Sequence, residues 1–433
     1  MVRAALAVAA AVAVLGGCGG APQSAGWEQP PEAPPAAPAE TPPDTTPAST
    51  PKPASEWLIT VPGAEHTDFF AAAAPDGGAV AELRSILGSE SKASVRRYDP
   101  EGALAWSLDL PAREDGSDAP AVTASGEALV WPQSGARIHR VSPRGELVAS
   151  LSLPRLVSIW RDGVVASPLG TALVLPEFST ASLLGQVIDA QGHVVQELQG
   201  SSGSSIRAGA FDERGNAVLY VERGPVRLGA RQLVGTGRHL LKLSPSGELL
   251  WSTPVLPEAE IVDVVRLVLD GSGGVYLLGS LHGRAHWGSS ELTYEQMGPT
   301  GQSVVAAFAL AATAAGAPRW AQFVPAYGRI AAGLPGGGLA LLRGTACGGS
   351  HLLVLDASGN LQAEQPLADA RCGAEPGNVN PSSLAATSDG ALLVAGSYSG
   401  VVYFGTRRVE SPAVGGWPMS DAFLMKVVVG KHD

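Results

Sequence analysis

Charge is scarce in this sequence, and its balance is negative. Charged residues make up 16% of the 433 residues, and the formal net charge is −11. A nucleic-acid partner needs a basic face to meet its phosphates, so that class is excluded. The apolar run Ala4 to Leu15 holds twelve residues, against the about 20 that a membrane-spanning helix needs. Only three cysteines are present, Cys18, Cys347 and Cys372. The sequence contains no H-E-x-x-H, G-x-S-x-G, P-loop or EF-hand pattern, so the common catalytic and metal-binding signatures are missing.

What is present in quantity is glycine, 54 residues, within a chain that is 45% apolar. That mixture suits many short strands joined by tight turns and fits poorly with long helices. The amino-terminal segment stands apart. "MVRAALAVAAAVAVLGGC" has a positive start at Arg3 and an apolar stretch of the length used by secretory signals. Its "LGGC" ending resembles the lipobox of bacterial lipoproteins, with Leu15 and Gly17 on pattern and Gly16 a less common choice. The resemblance implies removal of residues 1–17 and lipidation of Cys18, palmitate included. A multiply acylated cysteine is a firm anchor, since about two membrane signals already give stable attachment.

Residues 18–55 follow as a proline-rich tether, with 11 of the 34 prolines between 21 and 55. Such a segment cannot bury a core and is expected to be extended and semi-rigid. At about 3.1 Å per residue it reaches roughly 100 Å. The remaining 56–433 are expected to form one domain.

That domain is repetitive. "YDPEGALAW" (98–106), "VSPRGELVA" (141–149), "IDAQGHVVQ" (188–196), "LSPSGELLW" (243–251), "ATAAGAPRW" (312–320) and "LDASGNLQA" (355–363) align without gaps. Asp, Ser or Thr opens each turn, proline follows in three copies, and glycine closes all six. This is type I turn chemistry between two strands. A second set of strand–glycine–strand elements lies upstream of these hairpins: "AAAPDGGAVAEL" (72–83), "VTASGEALVW" (122–131), "SIWRDGVVAS" (158–167), "FDERGNAVLYV" (211–221), "VLDGSGGVYLLG" (268–279), "AGLPGGGLALL" (332–342) and "AATSDGALLVAG" (385–396). Seven inner turns therefore face six hairpins. The strand lacking at the carboxy end has its counterpart at the other end: "EWLITVP" (56–62) carries Trp57 where the outer strands carry Trp106, Trp251 and Trp320.

A closed ring explains the offset. The expected fold is all-β: a seven-bladed β-propeller of four-stranded antiparallel blades, closed by the N-terminal strand pairing in the last blade. The turn-strand repeat resembles bacterial β-propellers of the quinoprotein-like type. "GSLHGRAHWGSSELT" (279–293) and "GSYSGVVYFGTRRVE" (396–410) resemble repeats of predicted bacterial surface proteins. The resemblance implies that Trp57, Trp106, Trp251 and Trp320 each dock one blade on the next. Ala149, Gln196 and Ala363 depart from the pattern, so docking is expected to be weaker there.

Candidate sites are few. Cys347 and Cys372, in an oxidising compartment, read as a disulfide. It would close a loop of about 25 residues and contribute roughly 3 kcal/mol. His282 and His286 are about 13 Å apart if extended, too far for one metal ion, and read as surface residues. "SESK" (89–92) has the S-x-x-K spacing without its partner motifs and reads as chance. Eight residues before the inner-turn glycines Gly163, Gly215, Gly274 and Gly337 stand Arg155, Arg207, Arg266 and Arg329, while the other units carry Phe69, Asp118 and Ser382. Equivalent positions in a propeller form a ring about its axis, so the four arginines predict an anion site, guanidinium being suited to carboxylate, phosphate or sulfate.

The expected function is a membrane-anchored extracytoplasmic binding or scaffolding module, non-enzymatic and monomeric, with no cofactor. Its partners would be the membrane, through the lipid, and an envelope protein or glycan. Its place would be the cell envelope, at the outer membrane in a Gram-negative source. Two alternatives stand beside this: a propeller enzyme of quinoprotein, lyase or glycosidase type, and an outer-membrane assembly scaffold resembling the propeller lipoprotein of the barrel assembly machinery.

Overall fold

The structure, a computed structural model, describes residues 56–63, 66–87, 90–110, 119–131, 137–153, 156–179, 182–297, 303–325, 330–345, 348–370, 377–411, 413–414 and 417–429. The chain divides into two compact units, 1–50 and 51–433. The first unit, with Cys18 and most of the proline-rich segment, lies outside the described residues. So do Cys347 and Cys372, Arg155 and Arg329.

Among the described residues every regular element is a strand, and seven antiparallel blades form a β-propeller. Counting outward from the axis, blade 1 is His66–Ala73, Ala79–Leu87, Glu90–Tyr98 and Leu104–Leu110. Blade 2 is Ala121–Val122, Ala128–Val130, Arg137–Val141 and Leu147–Ser152. Blade 3 is Leu156–Ala166, Ala172–Ser179, Leu183–Ile188 and Val194–Gly200. Blade 4 is Ser205–Phe211, Ala217–Arg223, His239–Leu243 and Leu249–Pro254. Blade 5 is Ile261–Leu269, Val275–Trp287, Ala306–Ala312 and Pro318–Phe323. Blade 6 is Ala331–Gly333, Leu339–Gly344, Ser350–Leu355 and Leu361–Ala368. Blade 7 is Asn378–Ala386, Leu392–Ser399 and Asp421–Val427, and its fourth strand is Trp57–Val61 from the start of the domain.

The ring therefore closes as the repeat offset requires. Trp57 stands opposite Lys426, Thr60 opposite Phe423 and Val61 opposite Ala422. Each first strand packs on the first strands of both neighbours, through to blade 7 against blade 1. The core has the corresponding form: seven apolar clusters, each sandwiched between two adjacent blades. Middle strands are consequently buried on both faces, as in Leu183–Ile188, and read as continuous apolar runs without alternation.

The six hairpins behave as the turn chemistry dictates. In the first, the Gly102 N–H donates to the Asp99 carbonyl at 3.0 Å, while Asp99 Oδ1 accepts from the Glu101 and Ala103 N–H groups. Gly145, with φ +85°, shows why glycine closes the turn: a Cβ there would sit 2.8 Å from the Trp106 ring. The indole lies across the next blade's turn and its Nε1 donates to the Pro143 carbonyl at 2.8 Å. Trp57, Trp251 and Trp320 make the same bond to Pro100, Ala314 and Ala357.

The three departures resolve differently from expectation. Gln196 keeps the hydrogen bond of the joint, its Nε2 donating to the Pro245 carbonyl at 2.7 Å at the equivalent position. A side-chain amide supplies the same N–H, and Leu228 covers Gly247 where the ring would lie. At Ala149, Leu151 covers Gly192 while Arg140 Nη1 donates to the Ala190 carbonyl. At Ala363 the following blade is blade 7, whose third and fourth strands come from opposite chain ends, so it has no hairpin to dock on.

A further set of contacts ties strand three to the inner turn. Arg97, Arg140, Lys242 and Lys426 hold equivalent third-strand positions and pair with Asp76, Glu127, Asp212 and Asp389 at 2.5, 2.6, 2.7 and 2.8 Å. Blade 3's inner turn is Ser167–Gly170, with Gly170 at φ +83°; Gly163 lies inside the strand Leu156–Ala166. Blade 5's inner turn closes at Gly273, not at Gly274. Three blades also carry an added hairpin between strands two and three, each turning at a left-handed glycine: Gly229, Gly288 and Gly405. In blade 4 the hairpin Val226–Leu228/Arg231–Val234 pairs with the outer strand of blade 3 and extends that sheet to six strands.

Candidate functional site

The strand order sorts the connections onto two faces. The tight turns lie on one face, blade 7 contributing only its inner turn; the links between blades lie on the other, from which the added hairpins fold back along the outer side. The loop face opens into a cavity of about 690 Å³ bounded chiefly by first strands of blades 1, 4, 5 and 7 and by the second and third strands of blade 6. Glu56, where the chain enters the ring, is on the opposite, turn face, one residue before the Trp57 that docks on the Pro100 turn.

The offset that selected the arginines marks a real structural position. Counted back eight from the turn glycines Gly215, Gly273 and Gly390, it falls on Arg207, Val265 and Ser382. Each is the extra residue of a β-bulge in its first strand, and each lines the cavity. A bulge re-aims side chains, which is how these positions reach the channel. The expected arc of four arginines is not retained at this position. From Gly170 the offset reaches Asp162, leaving Arg155 out of register, and Arg266 is one residue past the bulge. Arg266 nevertheless lines the cavity. Of the four predicted arginines, Arg207 and Arg266 are thus brought to one site, and Arg155 and Arg329 lie outside the described residues.

Other polar groups join them. Arg343 from blade 6 and the carboxylates Asp68 and Asp263 also line the cavity, with Asn378 and Asn380 from blade 7. None was singled out by the repeat count, although each of the aspartates sits near the start of a first strand, a place the turn glycine locates. The count misses them because they lie off the counted offset, Asp68 one residue before it and Arg343 on a second strand.

The arginines are held by acids. Glu222 Oε2 accepts from Arg207 Nε at 2.7 Å and from Ser205 Oγ at 2.8 Å. Burial disfavours the charged Glu222, but the bonds from Arg207 and Ser205 outweigh it and hold its pKa below the ordinary carboxylate range. Arg343 Nη2 bonds Glu364 Oε1, which His351 also meets at 2.8 Å. Fixed in this way, guanidinium groups cost little entropy to present their remaining N–H donors to a ligand. Ser382 and Ser383, also in the lining, bond across the seam to blade 1: Ser383 Oγ accepts from the Ala71 N–H at 2.8 Å and Ser382 Oγ donates to the Phe69 carbonyl.

The histidines serve the fold. His282 is buried, not at the surface as expected, and bonds the Val304 carbonyl at 2.9 Å; His286 pairs with Glu258 at 2.7 Å. Among the described residues no group of three or more His, Cys, Asp or Glu could hold a metal ion. Lys92 of the S-x-x-K segment belongs to the strand Glu90–Tyr98.

The sequence matches no known family profile and no curated protein. Solved structures do resemble it. Virginiamycin B lyase from Staphylococcus aureus superposes with a TM-score of 0.51 at 10% identity, over 86% of this chain and 99% of that one. A streptogramin B lyase gives 0.49 at 11% identity, over 86% and 98%. A member of the DUF4221 family from Bacteroides vulgatus gives 0.42 at 10%, over 67% and 92%. At such identities the likeness is one of fold, and one propeller hosts many functions.

Proposed function

We propose that this chain is a lipid-anchored extracytoplasmic propeller that binds a partner carrying anionic groups at the loop face. The observation that carries the proposal is the cavity: about 690 Å³, lined by Arg207, Arg266 and Arg343 together with side-chain amides. The signal segment, the lipobox cysteine Cys18 and the proline-rich tether supply the anchor. Three arginines against two aspartates, Asp68 and Asp263, give the lining a cationic excess in a chain of net charge −11, and an envelope protein or glycan with carboxylate, phosphate or sulfate groups suits it. The Cys347–Cys372 disulfide belongs to the same proposal, as a product of export.

Affinity capture from the native envelope, comparing protein and glycan partners, tests it directly. Arg207→Ala with Arg266→Ala is expected to weaken capture of the anionic partner at least tenfold, the loss of about 1.4 kcal/mol. Unchanged capture would remove the anion site. Mass spectrometry of the exported protein is expected to show acylated Cys18 and no free thiol at Cys347 or Cys372; an unmodified signal segment or two free thiols would remove those parts.

A further inference from the structure

The blade 4 hairpin was not anticipated from sequence, and its charge is unlike that of the rest of the chain. Between residues 199 and 238 there are six arginines and three carboxylates, within a protein of net charge −11. Two of the three carboxylates are paired. Asp212 pairs with Lys242 at 2.7 Å, Glu222 with Arg207 at 2.7 Å, and Glu213 is on the turn face. Arg238 is structural, its Nη2 donating to the Leu256 and Ala259 carbonyls at 2.7 and 2.9 Å.

Arg214 lies beside Glu213 in the Asp212–Gly215 turn on the turn face, which leaves Arg223, Arg227 and Arg231. All three are exposed, and none has a carboxylate within ion-pair distance among the described residues, Arg223 acting on Glu222 only through its charge, whereas Arg97, Arg140, Arg207, Arg284, Arg343 and Arg408 all do. Their register places them in sequence from the loop face down the outer side of the ring, where Leu228 at the hairpin tip reaches the turn glycine Gly247. Arg223 stands opposite Ser205, two residues from the cavity-lining Arg207. Arg227 stands opposite Gln199 on the outer strand of blade 3, and Arg231 opposite Leu228 across the hairpin turn. The cations thus run from the cavity mouth to the rim of the ring. The hairpin's apolar side chains, Val226, Leu233 and Val234, are buried, so the sheet extension holds the arginines on a fixed support.

From this we infer that the stripe Arg223–Arg227–Arg231 is the outer arm of the binding site, and that it takes an extended acidic polysaccharide whose end or side group enters the cavity. The inference rests on the mouth-binding function proposed above. A glycan fits better than an acidic protein segment for two reasons. Protein interfaces are anchored by buried aromatic side chains, and residues 223–234 contain none. The adjoining cavity offers amides and hydroxyls, Asn378, Asn380, Ser350 and Thr345, that match sugar hydroxyls.

The test is calorimetric titration of the full chain in detergent micelles with polygalacturonate, poly-glutamate and neutral dextran at two salt concentrations. The expected result is binding of polygalacturonate but not dextran. The triple variant Arg223→Ser, Arg227→Ser, Arg231→Ser should then bind about tenfold more weakly. Its salt dependence should also be flatter by about two in the slope of log K. The corresponding Arg→Lys variant should retain most of the affinity, since charge and not shape alone is at work. If the triple serine variant binds like the parent while the Arg207→Ala/Arg266→Ala variant does not, the stripe is refuted and the mouth stands. Poly-glutamate binding as tightly as polygalacturonate refutes the glycan. If the parent binds neither polyanion, the stripe and the anion-binding mouth both fall.

Discussion

Replacing Asp389 by Asn should open the ring at its seam more effectively than any surface change of the same size. Lys426 lies on the last strand of the chain, and its ammonium is buried, with a side chain 1% exposed. It has two partners: Asp389 Oδ2 at 2.8 Å in blade 7 and the Gly77 carbonyl at 3.0 Å in blade 1. Removing the carboxylate leaves a buried cation with one neutral acceptor, and breaking a buried pair from one side costs about 3–5 kcal/mol. The double variant Asp389→Asn/Lys426→Met removes both charges and loses only the bond to Gly77, so it should recover about 2 kcal/mol or more of that loss. Urea titration followed by tryptophan fluorescence measures both, provided the slope m is unchanged.

The pH dependence gives an internal check. Burial opposes ionisation of Asp389, but the bonds from Lys426 and Thr387 outweigh it, so its pKa lies below the ordinary value. A carboxylate depressed in the folded state contributes fully above its unfolded pKa of about 3.9 and loses that contribution as pH falls through the folded value. The gap between the parent and Asp389→Asn should therefore be constant near neutrality and narrow only in strong acid. A loss below about 1 kcal/mol at neutral pH, or a double variant no better than the single one, would refute the view that this pair locks the seam.

Other outcomes follow from the blade joints. Trp106→Ala should cost about 2–4 kcal/mol, since the half-buried ring is lost together with its bond to Pro143. Gln196→Ala should cost about 1 kcal/mol, which equilibrium unfolding can separate from the null effect expected of an outer-strand position without a docking role. Gly145→Ala should destabilise by more than about 1 kcal/mol, because the left-handed φ of +85° and the Trp106 ring at 2.8 Å both oppose a methyl group. Equal stability by calorimetry would mean that the turn can yield.

Much of the fold was legible because turn chemistry is local. Asp or Ser at the start of a turn and glycine at its end act on their own backbone, so six hairpins could be counted from residue types alone. The surplus inner turn then required Trp57's strand to sit beside Phe423, as it does. Where the count went astray the cause was also physical. Gly163 looks like a turn glycine because Asp162 precedes it, yet the chain there bulges within a strand, and Ser167–Gly170 makes the turn. Gln196 looks like a loss because it is not aromatic, although the joint needs only an N–H at that point and an apolar cover for the glycine.

The sequence by itself determined the blade number and the closure, since both depend on residues at fixed separation along the chain. Tertiary structure alone decided which polar groups share the cavity and which arginines are left without acids. Bulges shift inner strands independently, and the acids that take up Arg207, Arg343 and Lys426 come from other strands or the inner turn of the same blade. A charge's availability depends on distances through space, and no spacing along the chain encodes those.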